Sequence, residues 1–567
     1  MFKTAIKVMI HPTASSQNAV SSAESEAIIL SSGLSELKGA ATIATTTAPI
    51  AINGSVNPDN DFIDMLSSAS PGSSDSSPDS SIASENNSIL TSVVNDFTHE
   101  ITSQNFHQQT DELIHDFNEA LLDNSKITML PNYNISPSGN ESGEFLCIDL
   151  GGSTLRIAII KIDPPSLEAE EDRSSRINII SENQWTIDNN FKILDYNFFK
   201  FIGAKINEIL QTQQLIDVHN QIKTGITWSF PLKTTSYNNG KIVHVSKGYT
   251  IHPEIYNQDL KSILESVLMK EFSLNIDIKS ILNDSLAVYS AGAFLDKYMK
   301  LALVLGTGFN MCCSFPSSEK IHSDKILKDH DQILFNTELS LFGQGLVKSI
   351  ATKYDTLIDE HFGSFDYQFK PYMTIDPVSE SLFQPNELMT SGRYLPELTR
   401  LVLVDLIEAK EIFVNVLDTE TILTHAYDGF GGELMCFIHE SSDFDAIKTK
   451  LCTQYGWSEP EVNLADIIAL KKVVQCIIER ASFIVAVSIV SFIKLLQQHN
   501  NNAKFSSTHI NIGYVGSVLK HFNEYRNLVK QYVNENEDIK KLGLEVDFKL
   551  IENSSIIGAA IGAAYYS

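Results

Sequence analysis

The sequence predicts an α/β fold of two similar lobes, preceded by a long disordered extension. Three observations lead to this prediction. Short apolar strand patterns alternate with longer helical patterns through most of the chain, which is typical of α/β architecture. An apolar strand that runs directly into a glycine turn occurs once in each half of this region. Ahead of it, residues 1–86 are rich in Ser, Ala, Thr and Asn.

The N-terminal extension includes the run LSSASPGSSDSSPDSS. Such a composition cannot bury enough apolar surface to offset the entropy of ordering, so residues 1–86 are predicted to be disordered. The extension has two lysines and no acid before Glu24, a pattern that it shares with mitochondrial presequences. It lacks arginine there, however, and a disordered tail is the favoured interpretation.

Two helices are predicted to follow the extension. The segment ILTSVVNDFTHEI has helical periodicity from Ile89, and a second pattern resumes at Thr110. We predict Thr110 as the N-cap of the second helix, because Asp111 and Glu112 follow in its first turn. The apolar residues of this helix share one face: Leu113, Phe117 and Leu121.

The rest of the chain alternates between strand and helix patterns. FLCIDL and TLRIAIIKI are predicted as neighbouring strands joined by a tight turn, and KTGITWSF and KLALVLG as further strands. DLKSILESVLMKEF and LPELTRLVLVDLIEA are predicted helices. The C-terminal region repeats the scheme with strand THINIGYVG, helix KHFNEYRNLVKQYV, strand FKLIENS and helix IIGAAIGAAYYS. We assign residues 87–290, with the N-terminal helices, to a first lobe and residues 291–567 to a second.

The overall charge predicts that the protein does not bind nucleic acids. The chain of 567 residues is 43% hydrophobic and 20% charged, with a net charge of -28 and a pI near 4.9. Nucleic-acid binders need a basic surface, and the sequence shows none. This acidity is typical of a soluble protein of the cell interior, so a cytoplasmic location is expected.

The cysteines and the most apolar segment point to buried structural roles. Six cysteines are scattered through apolar stretches without CxxC pairs or metal-ligand spacing, so reduced thiols are expected rather than disulfides or a zinc site. The most apolar segment, ASFIVAVSIVSFI, is shorter than the about 20 residues that a membrane span needs. Glu479, Arg480 and Lys494 flank it, and we predict a buried core helix.

The first candidate site is IDLGGST, where a carboxylate ends an apolar strand directly before two glycines. Glycines there let the backbone approach a polyanion and turn its N–H groups toward phosphate oxygens. The carboxylate can hold Mg²⁺ through water. The candidate phosphate-binding residues of this segment are Asp149, Gly151, Gly152, Ser153, Thr154 and Arg156. On its own, the pattern also fits an ordinary tight turn with a surface Asp.

The second candidate site, LGTGFN, repeats the arrangement in the other half of the chain. An apolar strand runs into Gly306, Thr307 and Gly308, whose N–H groups and hydroxyl can clamp phosphates. It is neither a GxxxxGK[ST] loop nor a GxGxxG fingerprint. Two such turns suggest two lobes that grip one nucleotide, although a chance duplication remains open at this point.

The third candidate site is SILNDSLAVYSAGAF, in which Asp284 lies between a strand pattern and a helix pattern. Phosphoryl transfer to an alcohol needs an oriented base near the hydroxyl. Asp284 can accept that proton, and Asn283 can hydrogen-bond a neighbouring hydroxyl. The competing interpretation is a helix cap, which an Asn-Asp pair at a helix start commonly provides.

The chain contains, in this order, the motifs IDLGGSTLRI, TWSFPL, VSKGY, NDS, LGTGFN, NTELSLFG, TKYD, NELMTSGRYLPEL and YVGSV. Together they resemble the motifs of hexokinases. The resemblance extends from about Ile89 to Ser567. Variants such as GITWSFPL, HVSKGYT and IENSSIIGAAIGAAY are more similar to fungal N-acetylglucosamine kinases than to glucose hexokinases. The resemblance implies a two-lobed actin-like ATPase fold, related to ribonuclease H, with ATP, Mg²⁺ and a sugar in the cleft. It also implies transfer of phosphate to the 6-hydroxyl of a hexose.

The resemblance also assigns roles to individual residues. Asp284 would be the base, Lys247 would offset charge at the phosphoryl group, and Glu338 and Glu387 would accept hydrogen bonds from sugar hydroxyls. Gly516 and Ser517 fall on the adenosine segment, whereas the two glycine turns fall on the phosphate segments. The residues on sugar-site positions are Ser229, Ser246, Lys247, Asn283, Asp284, Asn310, Glu338 and Glu387.

Three departures from glucose hexokinases bear on specificity. Where those enzymes carry Trp-Thr-Lys-Gly and Glu-Trp-Gly, this chain has Val245-Ser246-Lys247-Gly248 and Glu338-Leu339-Ser340. We hypothesise that the loss of two indoles makes room for a 2-acetamido group. Val515 replaces the acid of Asp-Gly-Ser on the adenosine side, which leaves nucleotide selectivity open.

Three other functions remain to be weighed. One is a glucose or mannose hexokinase. Another is a catalytically weak sugar sensor or regulator, against which the candidate base, the lysine and both glycine turns argue. The third is a different actin-fold ATPase such as a chaperone, against which SKG, ND and NEL together argue.

Overall fold

The computed structural model describes most of the chain after the Ser-rich extension. All of the described residues fall within one compact unit, residues 84–567. The predicted disorder of residues 1–86 concerns a segment outside the described residues. The described ranges are 88–133, 135–165, 173–188, 191–213, 221–230, 232–243, 245, 248–327, 330–364, 370–373 and 382–567.

The first lobe is built on a five-stranded sheet. Its strand order is β4-β3-β2-β6-β10, with β2, β6 and β10 parallel and β3 and β4 antiparallel to their neighbours. The strands are β2 (Gly143–Leu150), β3 (Thr154–Ile162), β4 (Ile177–Thr186), β6 (Ile222–Trp228) and β10 (Ile276–Leu282). Two small ribbons accompany it: β5 (Ile193–Leu194) with β9 (Thr250–Ile251), and β7 (Leu232–Ser236) with β8 (Asn239–Ile242).

The second lobe repeats this sheet with one extra edge strand. Its order is β1-β13-β12-β11-β14-β15, in which β11, β14 and β15 are parallel. The strands are β1 (Leu130–Tyr133), β11 (Met299–Leu305), β12 (Phe309–Pro316), β13 (Gln332–Asn336), β14 (His509–Val515) and β15 (Glu545–Leu550). Without β1, both sheets have two antiparallel and two parallel neighbours around a central strand. The predicted α/β fold of two similar lobes is therefore confirmed.

Helices cover both faces of each sheet. α3 (Tyr196–Gln213) and α4 (Leu260–Phe272) pack on the outer face of the first sheet. α5 (Asp284–Leu295) and α18 (Ser554–Tyr565) pack on its other face and against residues of the second sheet, so they lie between the sheets. Alternation along β2 explains this division, because Leu146 and Ile148 join the outer core while Phe145 and Cys147 join the inner one.

The remaining helices form the large outer layer of the second lobe. This layer includes α1 (Ile89–Thr98), α2 (Ser103–Leu122), α6 (Gln344–Ile350), α7 (Lys353–Ile358), α8 (His361–Ser364) and α9 (Pro385–Thr390). It continues with α10 (Leu395–Glu408), α11 (Glu420–Thr424), α12 (Gly432–Glu440), α13 (Phe444–Tyr455) and α14 (Leu464–His499). The last three are α15 (Ser517–His521), α16 (Asn523–Glu535) and α17 (Glu537–Leu542).

The structure corrects the predicted lobe boundaries. α1, α2 and β1 were assigned to the first lobe, but Phe97 and Phe117 lie in the core of the second, and β1 pairs with β13. α18 was assigned to the second lobe, but it packs on β2, β6 and β10 of the first. Close contact makes this possible, because a Cβ on Gly225 would lie 2.0 Å from the Ala559 carbonyl oxygen. Both ends of the folded chain therefore cross to the other lobe.

α14 is the central helix of the second lobe and contains the segment predicted to be a core helix. It is long and apolar enough to cross a membrane by length and composition, yet 94% of its most apolar window is buried inside the protein. It packs against α2, α16 and α1. The prediction of a buried core helix is thus confirmed.

Two local predictions were wrong at helix boundaries. α2 begins at Ser103, with Thr102 as its N-cap, so Thr110 is a buried residue inside the helix whose hydroxyl donates to the Phe106 carbonyl. The predicted helix KHFNEYRNLVKQYV is divided into α15 and α16, because Phe522 has a non-helical ψ of 84°.

Candidate active site

The carboxyl ends of three parallel strands meet at one edge of the first sheet. The predicted residues follow these strands directly: Ser229 after β6, and Asn283 and Asp284 after β10. The Ser229 N–H donates to the Leu150 carbonyl at the end of β2, with an N···O distance of 3.1 Å. In open α/β sheets, this edge is where ligands bind.

Asp284 is held by a hydrogen bond from the neighbouring strand end. The Ser229 hydroxyl donates to Asp284 Oδ1 at 2.8 Å, and both side chains are partly exposed. Asn283 is the N-cap of α5, and its Oδ1 accepts the Leu286 N–H at 2.9 Å. The predicted cap and the predicted site residue are thus the same residue. The cap uses the amide oxygen, which leaves the amide NH₂ group to meet a ligand hydroxyl.

Asn336 joins the site residues of the two lobes and was missed by the sequence analysis. Its Oδ1 accepts from Asn310 Nδ2 at 2.8 Å and from Ser285 Oγ at 3.3 Å, and its Nδ2 donates to Glu338 Oε1 at 2.7 Å. It stands in the quoted motif NTELSLFG, but its contacts arise only because β13 pairs with β12. This pairing places Asn336 opposite Cys312.

The amide of Asn310 has a fixed orientation. Its Oδ1 accepts the backbone N–H groups of Met311 at 2.8 Å and Leu339 at 3.3 Å. Its NH₂ group donates one hydrogen to Asn336 and has a second for a ligand. Asn310 therefore offers a donor on the side where Glu338 offers an acceptor.

Glu387 contacts the second glycine turn. It lies in α9, and its Oε2 accepts the Phe309 N–H at 3.0 Å. A Cβ on Gly308 would lie 2.7 Å from the same oxygen, so a larger residue there would displace the Glu387 carboxylate. The predicted sugar-binding carboxylate and the predicted phosphate turn are thus in direct contact.

The two glutamates carry raised proton affinities. Burial raises the pKa of Glu338, and the nearby charge of Glu387 raises it further, while the hydrogen bond from Asn336 opposes both. Burial also raises the pKa of Glu387, against the Phe309 N–H and the charge of Arg393. Glu338 further has a left-handed backbone with φ of 51°. Strain of this kind persists where the surroundings fix it and is frequent at functional sites.

The first glycine turn is the hairpin between β2 and β3. The Gly151 N–H donates to the Thr154 carbonyl at 2.9 Å, and the Ser153 carbonyl accepts from Ile187 N–H at 2.8 Å. Gly152 and Ser153 stand at the turn, with Ser153 exposed. The structure therefore places this turn beside Ser229 and Asp284, at the same edge of the sheet.

Asp149 and Arg156 lie opposite each other on β2 and β3 and face the start of α18. The Ser555 hydroxyl donates to Asp149 Oδ2 at 2.7 Å. Arg156 donates to Glu182 Oε1 at 2.6 Å and to Asn553 Oδ1 at 3.0 Å. These contacts connect the first sheet to the start of α18.

The second glycine turn packs against the predicted adenosine segment. A Cβ on Gly306 would lie 3.1 Å from the Ser517 nitrogen, and one on Gly516, which has φ of 109°, would lie 2.2 Å from the Leu305 carbonyl oxygen. Gly306 O also accepts the Gly392 N–H at 2.8 Å. Three segments far apart in sequence thus meet at the carboxyl ends of β11 and β14.

A cavity of about 420 Å³ opens beside this junction. It contains residues that the sequence analysis did not select, notably Arg393, Tyr427 and Asp428. The Arg393 guanidinium lies 5.7 Å from the Tyr427 ring centroid and 5.8 Å from that of Tyr394. The residues that line the cavity are Thr307, Gly392, Arg393, Pro396, Tyr427, Asp428, Phe430, Gly431, Gly432 and Ser517. Arg393 follows Gly392 in the motif NELMTSGRYLPEL, so the sequence contained a signal from which Arg393 could have been selected as a site residue.

Two of the predicted sugar-site residues, Ser246 and Lys247, lie outside the described residues.

The hypothesis that missing indoles make room at the sugar site does not fit the side chains found. Leu339 is fully buried in the core of the second lobe, and Val245 packs against the core of the first. Both side chains therefore pack against cores, and neither contact marks open space for a 2-acetamido group.

In the described part of the chain, no three His, Cys, Asp or Glu side chains gather as a metal-binding group. The Asp149 carboxylate beside the first turn is the oxygen ligand that suits a Mg²⁺ held through water. All six cysteines are free thiols, and five of them are buried.

Comparison with known proteins matches most of the chain to hexokinases. Two family profiles, both described as "Hexokinase", match residues 90–294 and 300–565. N-acetylglucosamine kinase 1 of Candida albicans is 56% identical over 485 residues, which cover 86% of this chain and 95% of that protein. Hexokinase-2 of Rattus norvegicus is 24% identical over 70% of this chain but only 39% of its own length.

Solved structures give the same fold. A hexokinase from Schistosoma mansoni complexed with glucose superposes with a TM-score of 0.63 at 20% identity, covering 84% of this chain and 98% of that one. A second hexokinase crystal structure gives 0.66 at 17% identity, covering 84% and 99%. The architecture described above is therefore shared with these proteins.

Proposed function

This chain belongs to the hexokinase family and is a sugar kinase, and we propose that it transfers the γ-phosphoryl group of ATP to the 6-hydroxyl of N-acetylglucosamine. The observation that carries the choice of sugar is the 56% identity to the Candida albicans N-acetylglucosamine kinase 1 over 95% of that protein's length. The hexokinase-2 sequences are far less similar, at 24%.

Asp284 acts as the base in this proposal. It accepts the proton of the 6-hydroxyl as that oxygen attacks the γ-phosphorus in line. The hydrogen bond from Ser229 engages Asp284 Oδ1, which supports a role for the other oxygen, Oδ2, toward the sugar. Lys247 is proposed to offset charge at the transferring group.

The sugar ring is bound by the groups around Asn336. The Asn310 amide donates to a ring hydroxyl, while Glu338 and Glu387 accept from others. The fixed orientation of Asn310 and the hydrogen bonds at both glutamates support pre-organised recognition of several hydroxyls at once. Ser246 is proposed to complete the sugar site.

The nucleotide lies between the two glycine turns in this proposal. The Gly151 and Gly306 N–H groups bond within their own turns, so the other backbone N–H groups of the two turns are proposed to face the phosphates. The cavity beside Ser517 takes the nucleoside. Arg393 lines that cavity and has no carboxylate partner at salt-bridge distance in the described part of the chain, which supports a contact to the anionic nucleotide. Bound Mg²⁺ would neutralise phosphate charge, and Asp149 would hold it through water.

Closure of the lobes is proposed to exclude water from the site. Both sugar and nucleotide groups are divided between the two sheets, so binding favours an arrangement that brings the sheet edges together. Expelling water prevents transfer of the phosphoryl group to water. The acidic composition and the free thiols support a cytoplasmic location as part of the proposal.

A coupled assay with a sugar panel tests the function. ATP turnover is measured with N-acetylglucosamine, glucose, mannose and no sugar. The proposal expects the highest kcat/KM with N-acetylglucosamine. Preference for glucose or mannose would instead identify a hexose kinase of that type, and sugar binding without turnover would identify a sensor.

A further inference from the structure

A buried ion pair lies directly behind the proposed nucleotide cavity. Arg400 Nη2 donates to Glu397 Oε1 at 2.7 Å and Arg400 Nε to Glu397 Oε2 at 2.8 Å. Both residues belong to α10 and are almost fully buried, with 6% and 4% of their surface exposed. The resemblance on which the sequence analysis rested gave neither residue a role.

The pair holds residues 422–429, the end of α11 and the loop that follows it, which we call the cavity loop. Arg400 Nη1 donates to the Ile422 carbonyl at 2.8 Å, and Glu397 Oε2 accepts the Tyr427 N–H at 2.7 Å. The loop passes so closely that a Cβ on Gly429 would lie 2.9 Å from Arg400 Cδ. One buried ion pair therefore fixes the loop at both ends.

The fixed loop supplies one wall of the cavity. Tyr427 and Asp428 line it, with the Tyr427 ring beside the Arg393 guanidinium. Tyr427 has a left-handed backbone with φ of 65°, a conformation that a tyrosine adopts only where its surroundings impose it. The hydrogen bond from its N–H to Glu397 is one of the contacts that hold it there.

The N-terminal end of the same helix, on which the ion pair lies, also reaches the second glycine turn. Arg393 and Gly392 immediately precede α10, and the Gly392 N–H donates to the Gly306 carbonyl. α10 thus connects the phosphate turn, the cationic side chain and the cavity loop. A buried ion pair is weak evidence for added stability, since desolvation offsets its attraction. Its three contacts to one ligand-facing loop point to positioning instead.

We propose that Glu397 and Arg400 are positioning residues that set nucleotide affinity by holding Tyr427 and Asp428 against Arg393. The inference rests on the proposed function in that it takes the cavity as the nucleoside site. It predicts that weakening the pair lowers affinity for ATP while affinity for the sugar stays the same, because Asn310, Glu338 and Glu387 are held by other contacts.

A second buried ion pair provides a matched control. Arg480 and Asp355 lie in the same lobe, are also buried, and form two hydrogen bonds of 2.7 and 2.9 Å. Neither residue lines the cavity. Glu397→Gln and Asp355→Asn each replace a buried carboxylate by an amide of the same shape, so both are expected to lower thermal stability.

The test compares these two variants in the full-length protein. The Kd for ATP is measured calorimetrically below both melting temperatures, and KM for ATP and for the sugar kinetically. We expect Glu397→Gln to weaken ATP binding about tenfold and Asp355→Asn to change it by less than about twofold, with the sugar KM constant in both. Equal effects in the two variants, or unchanged ATP binding in Glu397→Gln, would overturn the proposal.

An exposed variant covers the case in which Glu397→Gln does not fold. Tyr427→Asn keeps the N–H that Glu397 accepts and suits a left-handed backbone, but removes the ring from Arg393. Weaker ATP binding with an unchanged sugar KM supports the proposal, and wild-type ATP binding contradicts it. The Kd for ATP is measured without turnover. A wild-type protein that binds ATP but phosphorylates no sugar would therefore refute the proposed function and not the positioning role of Glu397 and Arg400. A wild-type chain that binds no ATP would refute both.

Discussion

The Ser229 hydroxyl donates a 2.8 Å hydrogen bond to Asp284 Oδ1 across the ends of two parallel strands. Pairing of β6 with β10 brings these residues together, because Thr227 lies opposite Leu282 in the register. The contact orients the carboxylate before any substrate binds. Ser229 therefore serves the proposed base as well as the sugar site.

Loss of the Ser229 hydroxyl is expected to slow turnover. In Ser229→Ala the carboxylate loses a charge-assisted hydrogen bond and becomes free to rotate, so kcat should fall about tenfold, or about 1.4 kcal/mol. Ser229→Thr keeps the hydroxyl and is the control. Steady-state kinetics with saturating substrates measure the effect, and equal rates for the two variants would argue against an orienting role.

Removal of the proposed base should be more severe. Asp284→Ala is expected to lower kcat about 10³-fold, the range typical of general-base catalysis, with a small effect on the sugar Kd. Equilibrium binding of the sugar measures the second quantity independently of turnover. Near wild-type turnover would remove Asp284 from the role of base.

The sheets and the order of elements could be predicted because their signals are local. FLCIDL and TLRIAIIKI carry apolar runs on either side of two glycines, and they form β2 and β3. The helix start at Thr110 was wrong because the true first turn, SQNFHQQ, is mostly polar. Its cap, Thr102, accepts the Asn105 N–H at 3.1 Å, and nothing in the apolar pattern marks that position.

The relations that could not be predicted are those between segments distant in sequence. Whether α1 and α2 join the first or the second lobe depends on their packing against α14, hundreds of positions along the chain. The role of Asn336 depends on strand pairing, and that of Tyr427 on a hydrogen bond from its loop to Glu397 on α10. Composition and periodicity carry no information on such contacts, so the sequence supplied candidate residues and the structure supplied their partners.

Asn336 is expected to control sugar affinity. Asn336→Ala removes the acceptor for Asn310 and the donor for Glu338, so both groups lose their fixed orientation. We expect the sugar KM to rise about tenfold while the ATP KM changes by less than about twofold. Asn534→Ala serves as the control, because the Asn534 side chain also makes three hydrogen bonds, here to backbone groups, but lies on α16. A parallel rise in both KM values would show general damage instead.

Substitution of Leu339 tests the hypothesis that a missing indole makes room for the 2-acetamido group. Its side chain is fully buried, so Leu339→Trp inserts an indole into a packed core and should destabilise the protein by about 1–3 kcal/mol. We expect the ratio of N-acetylglucosamine to glucose turnover to change by less than about twofold. Thermal melts and the two-sugar assay measure these effects. A large shift of the ratio toward glucose would restore the indole hypothesis.

We expect ionisation of Glu338 to lower the stability of the fold and to strengthen sugar binding. Its pKa in the fold is raised above the ordinary value of 4.5 by burial and by Glu387. The folded protein therefore binds the proton more tightly than the unfolded chain. This group contributes stability below its unfolded pKa, and the contribution is lost as pH rises through the folded pKa.

Glu338→Gln removes that titration while keeping the shape and the contact with Asn336. At neutral pH the variant should melt at a higher temperature than the wild type, because no buried charge remains, and the difference should vanish below about pH 4. The same variant should bind sugar more weakly, since an amide is a poorer acceptor than a carboxylate. Melting curves from pH 4 to pH 8 measure the first effect, with Glu408→Gln, at an exposed position, as the control. If the wild type instead melts at the higher temperature at neutral pH, the Glu338 anion stabilises the fold. Its role in sugar binding would then not reduce stability.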